Sequence, residues 1–382
     1  MKQIYLDNGA TSFPKAPGVG QAMKDYIEKV GVNVNRSSYR ATAEAALSTL
    51  NVREDLCTLF GGGSDPSYAI FTSGVTMSLN MIMKGVLRAG DHLIISGMEH
   101  NAVARPAMQL EAAGVSVSIA PCDETGVLRL TEFEKLFTPQ TRLVVMQYAS
   151  NVSGTIQPIA EIGAICRRHG ALFAVDSAQA AGHFLFNMQA LQVDAMCFTG
   201  HKGLLGPSGI GGFVMNEAMN KALTPLIAGG TGSMSASLEM PPTLPDRYEA
   251  GTPNLPGIMG LGVALRYLME VGPDALHKRE MALTDRFLDG LHGNSHIRVP
   301  GPVDAKGRVG VISVDFLRQD NAEVAFQLEE QYGILTRCGL HCAPLAHKTL
   351  GTYPEGTVRF SVGYTTTEDE VDTAIQAIHS LS

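Results

Sequence analysis

An α/β fold with a mainly parallel sheet is the prediction for this 382-residue chain, and three observations carry it. Short apolar runs alternate with amphipathic or alanine-rich stretches from about residue 68 onward. Most of those runs are continuous rather than alternating, as expected of strands covered on both faces. From about Ile297 the pattern changes to short strands flanking helices, which suits a smaller α+β unit.

Element by element, strands are expected at Tyr68–Thr72, His92–Ser96, Ser116–Pro121, Leu143–Ala149, Leu172–Val175, Ala195–Phe198 and Ile210–Met215, seven in all. Helices are expected at Met77–Arg88, Ala102–Ala113, Thr131–Leu136 and Ile159–His169, the second interrupted by Pro106. The Gly-, Pro- and Ser-rich stretch from Gly229 to Pro253 reads as a long functional loop. Helical patterns at Gly257–Val271 and Asp274–Leu291 lead out of the first unit. Strands at Val309–Phe316 and Thr357–Val362 with helices at Ala322–Tyr332 and Glu368–Ser380 build the second.

Composition narrows the function. Hydrophobic content of 45% and charged content of 17% belong to a well-packed soluble protein. A net charge of −8 leaves no surplus of Lys and Arg to neutralise nucleic-acid phosphates or an anionic membrane. No apolar stretch approaches a membrane span and the first residues carry no signal-peptide pattern, so a cytoplasmic location with reduced thiols is expected. Of the six cysteines, four sit in or beside apolar or helical segments.

The chemistry concentrates at expected strand ends, where ligands of open α/β sheets bind. Thr199-Gly200-His201-Lys202 follows one apolar run, and Asp176-Ser-Ala-Gln179 follows its neighbour. A lysine that can form a Schiff base with an aldehyde, beside a carboxylate that can keep a pyridine nitrogen protonated, is what pyridoxal 5′-phosphate requires. Gln179 can reach the ring oxygen. Upstream, Thr72-Ser-Gly-Val75-Thr76 opens a helix and offers backbone N–H groups and the Thr76 hydroxyl to a phosphate. His100, in Glu99-His100-Asn101, can stack on a planar ring, although a histidine there is equally at home as a satisfied loop residue. Asn151 can bond a substrate oxygen or simply serve its turn, and Asp176 can cap a helix. What distinguishes these residues is their combination and order.

Toward the C-terminus, Arg337-Cys338-Gly339-Leu340-His341-Cys342 offers a thiol beside two cationic side chains, which are expected to lower the Cys342 pKa. Arg359 can clamp a carboxylate. Cys-x₃-Cys with one His lacks a second cluster to complete a metal site, so no metal ligands are assigned.

Together these segments resemble the class V aminotransferase-like, fold-type I pyridoxal-phosphate enzymes, and within them the group II cysteine desulfurases and selenocysteine lyases. The likeness runs from Tyr5-Leu-Asp-Asn-Gly-Ala-Thr-Ser12 through Glu249-Ala-Gly-Thr252-Pro-Asn254 to the Arg337–Cys342 segment. It implies a large domain over 15–255 and a small one from 1–14 with 256–382. It implies that Lys202 carries the cofactor and acts as base, with Asp176 on the pyridine nitrogen, Gln179 on the ring oxygen and His100 stacked on the ring. Val75, Thr76, Thr199 and His201 would hold the phosphate, with Thr252 reaching in from the other subunit of a homodimer. Asn151, Arg337 and Arg359 would bind the substrate carboxylate. Cys342 would take sulfur from L-cysteine, leaving alanine and a persulfide destined for an acceptor protein in sulfur metabolism or iron–sulfur cluster assembly.

Three departures from the family pattern bear on substrate. Leu340 stands where a histidine is usual, Asn33–Tyr39 lacks a His-Arg-Gly-x-His pattern, and Cys338 is extra. They leave L-cysteine and L-selenocysteine both open, along with β-lyase, epimerase or transaminase chemistry on the same scaffold. A non-catalytic sulfur carrier is the remaining alternative. It gains nothing from keeping Lys202, Asp176, His100 and Arg359.

Overall fold

The computed structural model describes residues 3–34 and 39–382; residues 35–38, within the divergent Asn33–Tyr39 segment, lie outside it. A short strand β1 (Ile4–Tyr5) leads into helices α1 (Val19–Asp25) and α2 (Arg40–Phe60). The central sheet takes β2 (Ala69–Thr72), β3 (His92–Ser96), β4 (Ser116–Ala120), β5 (Thr141–Gln147), β6 (Leu172–Asp176), β7 (Ala195–Thr199) and β8 (Gly211–Met215). Helices α3 (Val75–Val86), α4 (Asn101–Ala112), α5 (Leu130–Glu134) and α6 (Ile159–His169) connect the parallel strands, and α7 (Glu217–Ala222) follows β8.

The sheet runs β2-β8-β7-β6-β5-β3-β4, with β8 antiparallel to both neighbours and every other pairing parallel. Alternation along the strands feeds two cores. Ile94, Val144, Phe173 and Phe198 face α2, α6 and α8 (Leu255–Val271), while Ile95, Val145, Ala174 and Cys197 face α3 and α4. Burial on both faces is why these runs read as continuously apolar. The edge strand β4 is the exception, with Ser116 and Ile119 exposed. Because β2, β3, β5, β6 and β7 run in one direction, their carboxyl ends share a single edge, and that edge carries the candidate residues.

Beyond α8, helix α9 (Pro273–Leu291) precedes β9 (Ile297–Arg298), β10 (Val311–Phe316), α10 (Asn321–Tyr332), β11 (Ile334–Leu335), β12 (Arg337–Gly339), α11 (Pro344–Thr349), β13 (Thr357–Ser361) and α12 (Glu368–Leu381). A four-stranded antiparallel sheet of order β12-β13-β10-β9 packs Val314, Val358 and Phe360 onto Phe287, Leu328 and Ile378. The N-terminal strand returns to this unit: β1 pairs with β11 in a separate two-stranded sheet, and Asp7 bridges to Ser361 of β13.

Two sequence expectations are corrected. Helix α4 runs unbroken through Pro106; the ring is buried, and the missing N–H costs one bond in an otherwise continuous helix. Arg337–Gly339, expected to open a polar loop, forms edge strand β12. The loop between α7 and α8 carries neither helix nor strand, as its composition implied. Helix α2 had gone unforeseen, although Ala45, Thr49, Val52, Leu56 and Leu59 form a buried stripe at helical spacing.

Candidate active site

Asp176 ends β6 in register with Gln147 of β5 and Cys197 of β7. Its Oδ1 accepts the Ala178 amide at 2.9 Å. Burial pushes the carboxyl up from its ordinary value, against the Ala178 amide and Lys202, which both hold it down. Lys202 follows β7 and has no carboxylate within ion-pair distance among the described residues. Burial lowers its pKa to about 8; Asp176 and Asp7 oppose that shift, while Arg359 and Arg337 add to it. An amine that is half-deprotonated near pH 8 is far better placed than an ordinary lysine to condense with an aldehyde or accept a proton.

His100 caps α4, its Nδ1 accepting the Ala102 amide at 3.0 Å. In the neutral ring the proton therefore sits on Nε2. Burial, then Lys202, Arg359, Arg105 and Arg337, drive the His100 pKa to about 4, so the imidazole stays neutral. Beneath it Glu99 is fully buried; Oε1 accepts Ser96 Oγ at 2.5 Å and the Gln147 amide at 3.0 Å, and burial raises its pKa to about 8.

The phosphate-side residues converge by close backbone approach. Gly74, at φ 155°, begins α3 with no side-chain cap. A Cβ on Gly211 of β8 would lie 2.6 Å from the Gly74 Cα, and one on Gly74 would lie 3.7 Å from Thr199 Oγ1. Thus Val75 and Thr76, in the first turn of α3, sit beside Thr199 at the end of β7. His201 keeps a buried Nδ1 without a partner, and burial lowers its pKa to about 4. Its carbonyl is gripped by the Ser12 amide at 2.9 Å and by Lys15 Nζ at 2.7 Å.

Arg359 lies on β13, 2% exposed, with Nη2 paired to Asp7 Oδ1 at 2.7 Å and Nη1 donating to the Asn151 carbonyl at 3.2 Å. Asn151 donates to the His341 carbonyl at 2.7 Å. Asn151 Oδ1 and Arg359 Nε are both buried without partners. Leu340 to Ala343 form a tight turn closed by Ala343 N–H to Leu340 O at 2.8 Å, with His341 and Cys342 both left-handed (φ 48° and 57°). The Cys342 carbonyl accepts the Asn101 amide at 2.7 Å, so the exposed thiol is tethered one residue from His100.

Among the predicted residues, His100, Asp176, Lys202, Arg337 and Arg359 lie within electrostatic reach of one another. Gln179, Thr252 and His341 have the following surroundings. One Gln179 amide proton bonds the Gly9 carbonyl at 2.9 Å. Thr252 lies on the rim of a cleft of about 670 Å³ that it shares with Ser73, Arg53 and Glu249. His341 turns its ring inward to Thr357 Oγ1 at 3.1 Å, and burial takes its pKa well below the usual value. It is neutral, and so contributes no positive charge to the Cys342 thiol. Cys338 alternates to the face of β12 opposite Arg337.

Asp7 and Lys15 escaped the sequence reading, because nothing in an N-terminal segment marks partners roughly 350 and 190 positions away.

The donor set fits pyridoxal phosphate. A buried carboxylate and a depressed lysine stand at neighbouring strand ends. An unpartnered His201 Nδ1 and an uncapped α3 N-terminus face the phosphate side, and a glycine-on-glycine contact leaves room beside Thr199. Fold and site thus define a class of pyridoxal-phosphate enzyme built on a seven-stranded α/β sheet. Residues 4–373 match the aminotransferase class-V family, and the chain belongs to it. A probable cysteine desulfurase of Methanothermobacter thermautotrophicus is 32% identical over 96% of this chain and 92% of its own length. A cysteine desulfurase of Escherichia coli is 35% identical over 99% and 93%. The apo structure of cysteine desulfurase from Thermococcus onnurineus superposes with a TM-score of 0.92 at 31% identity, covering 99% of this chain and 94% of that one. Among the described residues no helix is long and apolar enough to cross a membrane.

Proposed function

We propose that this chain is a cysteine desulfurase that moves the sulfur of L-cysteine onto Cys342 and releases L-alanine. The observation that supports it most is the Asn101–Cys342 hydrogen bond at 2.7 Å, which ties a thiol-bearing turn to the helix capped by His100. A β-lyase, epimerase or transaminase needs no thiol there.

Lys202, Asp176, His100, Gln179, Val75, Thr76, Thr199 and His201 would hold pyridoxal phosphate, which supplies an electron sink for the substrate's α-carbon. Arg359 and Asn151 would bind the substrate carboxylate through Arg359 Nε and neighbouring donors, with Arg337 adding attraction at the mouth. The Lys202 amine, with its lowered pKa, would take the proton from Cα and return one to the departing product. The Cys342 thiolate attacks the substrate sulfur; the new S–S bond forms as the Cβ–S bond breaks, and Cβ is protonated to give alanine. Atoms balance as cysteine plus enzyme thiol giving alanine plus enzyme persulfide.

The same geometry supports two units, 15–255 and 1–14 with 256–382, working across the shared edge. The reading includes a homodimer in which Thr252 would serve the other subunit's phosphate. An acceptor protein would collect sulfur from the exposed Cys342 turn.

Alanine measured after adding L-cysteine or L-selenocysteine to the purified protein, with and without reductant, tests the proposal. Alanine from cysteine that vanishes in Cys342→Ala is expected. Full turnover of cysteine by Cys342→Ala overturns the desulfurase reading, alanine from selenocysteine alone points to a lyase, and none from either requires another substrate.

A further inference from the structure

Behind Lys202, away from the Cys342 turn, lies a chamber of about 30 Å³ whose walls include Lys202, Gly203, Gln179, His183 and Glu280. Empty space behind a catalytic turn lets the turn relax into it unless something holds it in place. Two features here do so. The 181–183 turn and the Lys202–Gly203 turn meet backbone to backbone: a Cβ on Gly182 would lie 2.0 Å from the Gly203 carbonyl oxygen, and one on Gly203 would lie 2.3 Å from the Ala181 oxygen. The His183 ring is laid against the same turn, its Nε2 2.9 Å from that Gly203 Cβ position. On its other side His183 Nδ1 meets Glu280 Oε2 at 2.8 Å, with the Glu280 carboxylate buried and the imidazole 16% exposed.

Glu280 belongs to α9. The adjacent Arg279 donates to the Tyr364 and Thr366 carbonyls, just beyond β13, the strand that carries Arg359 and pairs with β12. The contact therefore spans from the lysine turn to the element that supports the small sheet. We propose that the His183–Glu280 pair is a positioning device for Lys202. It braces the Lys202–Gly203 turn against α9, so that the amine keeps its station relative to Arg337, Arg359 and the Cys342 turn.

The titratable groups that face His183 are Glu280 and, on the same helix, His277, whose ring centre is 6.1 Å away and whose pKa burial lowers while Glu280 and Asp274 oppose the shift. Lys202 shares the chamber from the turn side. Glu280 raises the His183 pKa against a larger individual effect of burial, which lowers it, so the pair holds its charge best on the acid side of neutrality.

The inference rests on Lys202 carrying the cofactor, not on cysteine being the substrate. Its test is an absorbance–pH titration of the cofactor-loaded protein together with kcat and KM, for wild type, His183→Phe, and the neutral hydrogen-bonding pair His183→Gln/Glu280→Gln. In His183→Phe the midpoint of the lysine-linked chromophore should move by about half a unit or more. Its kcat should fall about tenfold or more, with KM within about twofold, and the Gln/Gln pair should recover part of both. If His183→Phe melts below assay temperature, Glu280→Gln takes its place, and the Gln/Gln pair should have a midpoint between those of wild type and Glu280→Gln. Folded variants whose midpoint and kcat match wild type overturn the proposal. Absence of any chromophore in the wild type would instead overturn the cofactor assignment.

Discussion

Arg337 and Arg359 stand directly opposite each other across the β12–β13 ladder, two guanidinium groups projecting from one face of the small sheet. Like charges in register repel, and only one of the pair is compensated: Arg359 is buried on Asp7, while Arg337 is exposed. In the proposed function the pair would serve a substrate carboxylate, with Arg359 as the fixed member and Arg337 as the outer one.

Arg359→Lys keeps the charge but loses the fork that reaches Asp7 and Asn151 together. Steady-state kinetics should show KM for cysteine rising about 10- to 100-fold, the worth of one or two charge-assisted hydrogen bonds. Arg337→Gln should raise KM less and leave the melting temperature equal or slightly higher, since a repulsive cross-strand pair is removed. A larger KM effect at Arg337 than at Arg359 would reverse the assignment.

Cys342 holds its turn through its carbonyl and a left-handed backbone, not through its sulfur. Cys342→Ala should therefore bind cofactor and melt as wild type does, while alanine release from cysteine falls to background. Loss of colour together with activity would point to a structural thiol instead.

Reloading of cofactor-free protein should depend on pH through Lys202. Its pKa is lowered to about 8, and only the neutral amine condenses with an aldehyde. The uptake rate, followed by absorbance, should climb through about pH 8 and level off above it. A midpoint near 10 would mean that the lysine is exposed before loading.

Stability should carry the mark of His183. Its folded pKa is raised above the unfolded value, so its contribution is complete below about pH 6.5 and is lost as pH rises through the folded value. Glu280→Gln should cost about 2 kcal/mol at the acid end, and the gap in melting temperature between wild type and variant should narrow as pH rises through the folded His183 value.

Gly211→Ala should loosen the phosphate side, because its methyl would fall 2.6 Å from the Gly74 Cα. A destabilisation of about 1–3 kcal/mol is expected, with faster loss of cofactor on dialysis. Unchanged cofactor retention would show that the contact between Gly74 and Gly211 is not what shapes the cradle.

Much of this was legible in the chain itself. A strand buried on both faces must be continuously apolar, so the central sheet announced itself. A lysine and an aspartate can follow such strands at little cost only where something uses their charge, so Lys202 and Asp176 stood out. The sequence by itself thus determined the sheet, the crossover helices and the chemical type of each strand-end residue. Only the tertiary structure decided the rest, because those properties depend on partners distant in sequence. Asp7 compensates Arg359 from the far end of the chain, His341 is neutral because the fold buries it, and β12 exists because β13 offers it an edge. The brace of His183 on Glu280 joins positions nearly 100 residues apart, and only packing brings them into contact.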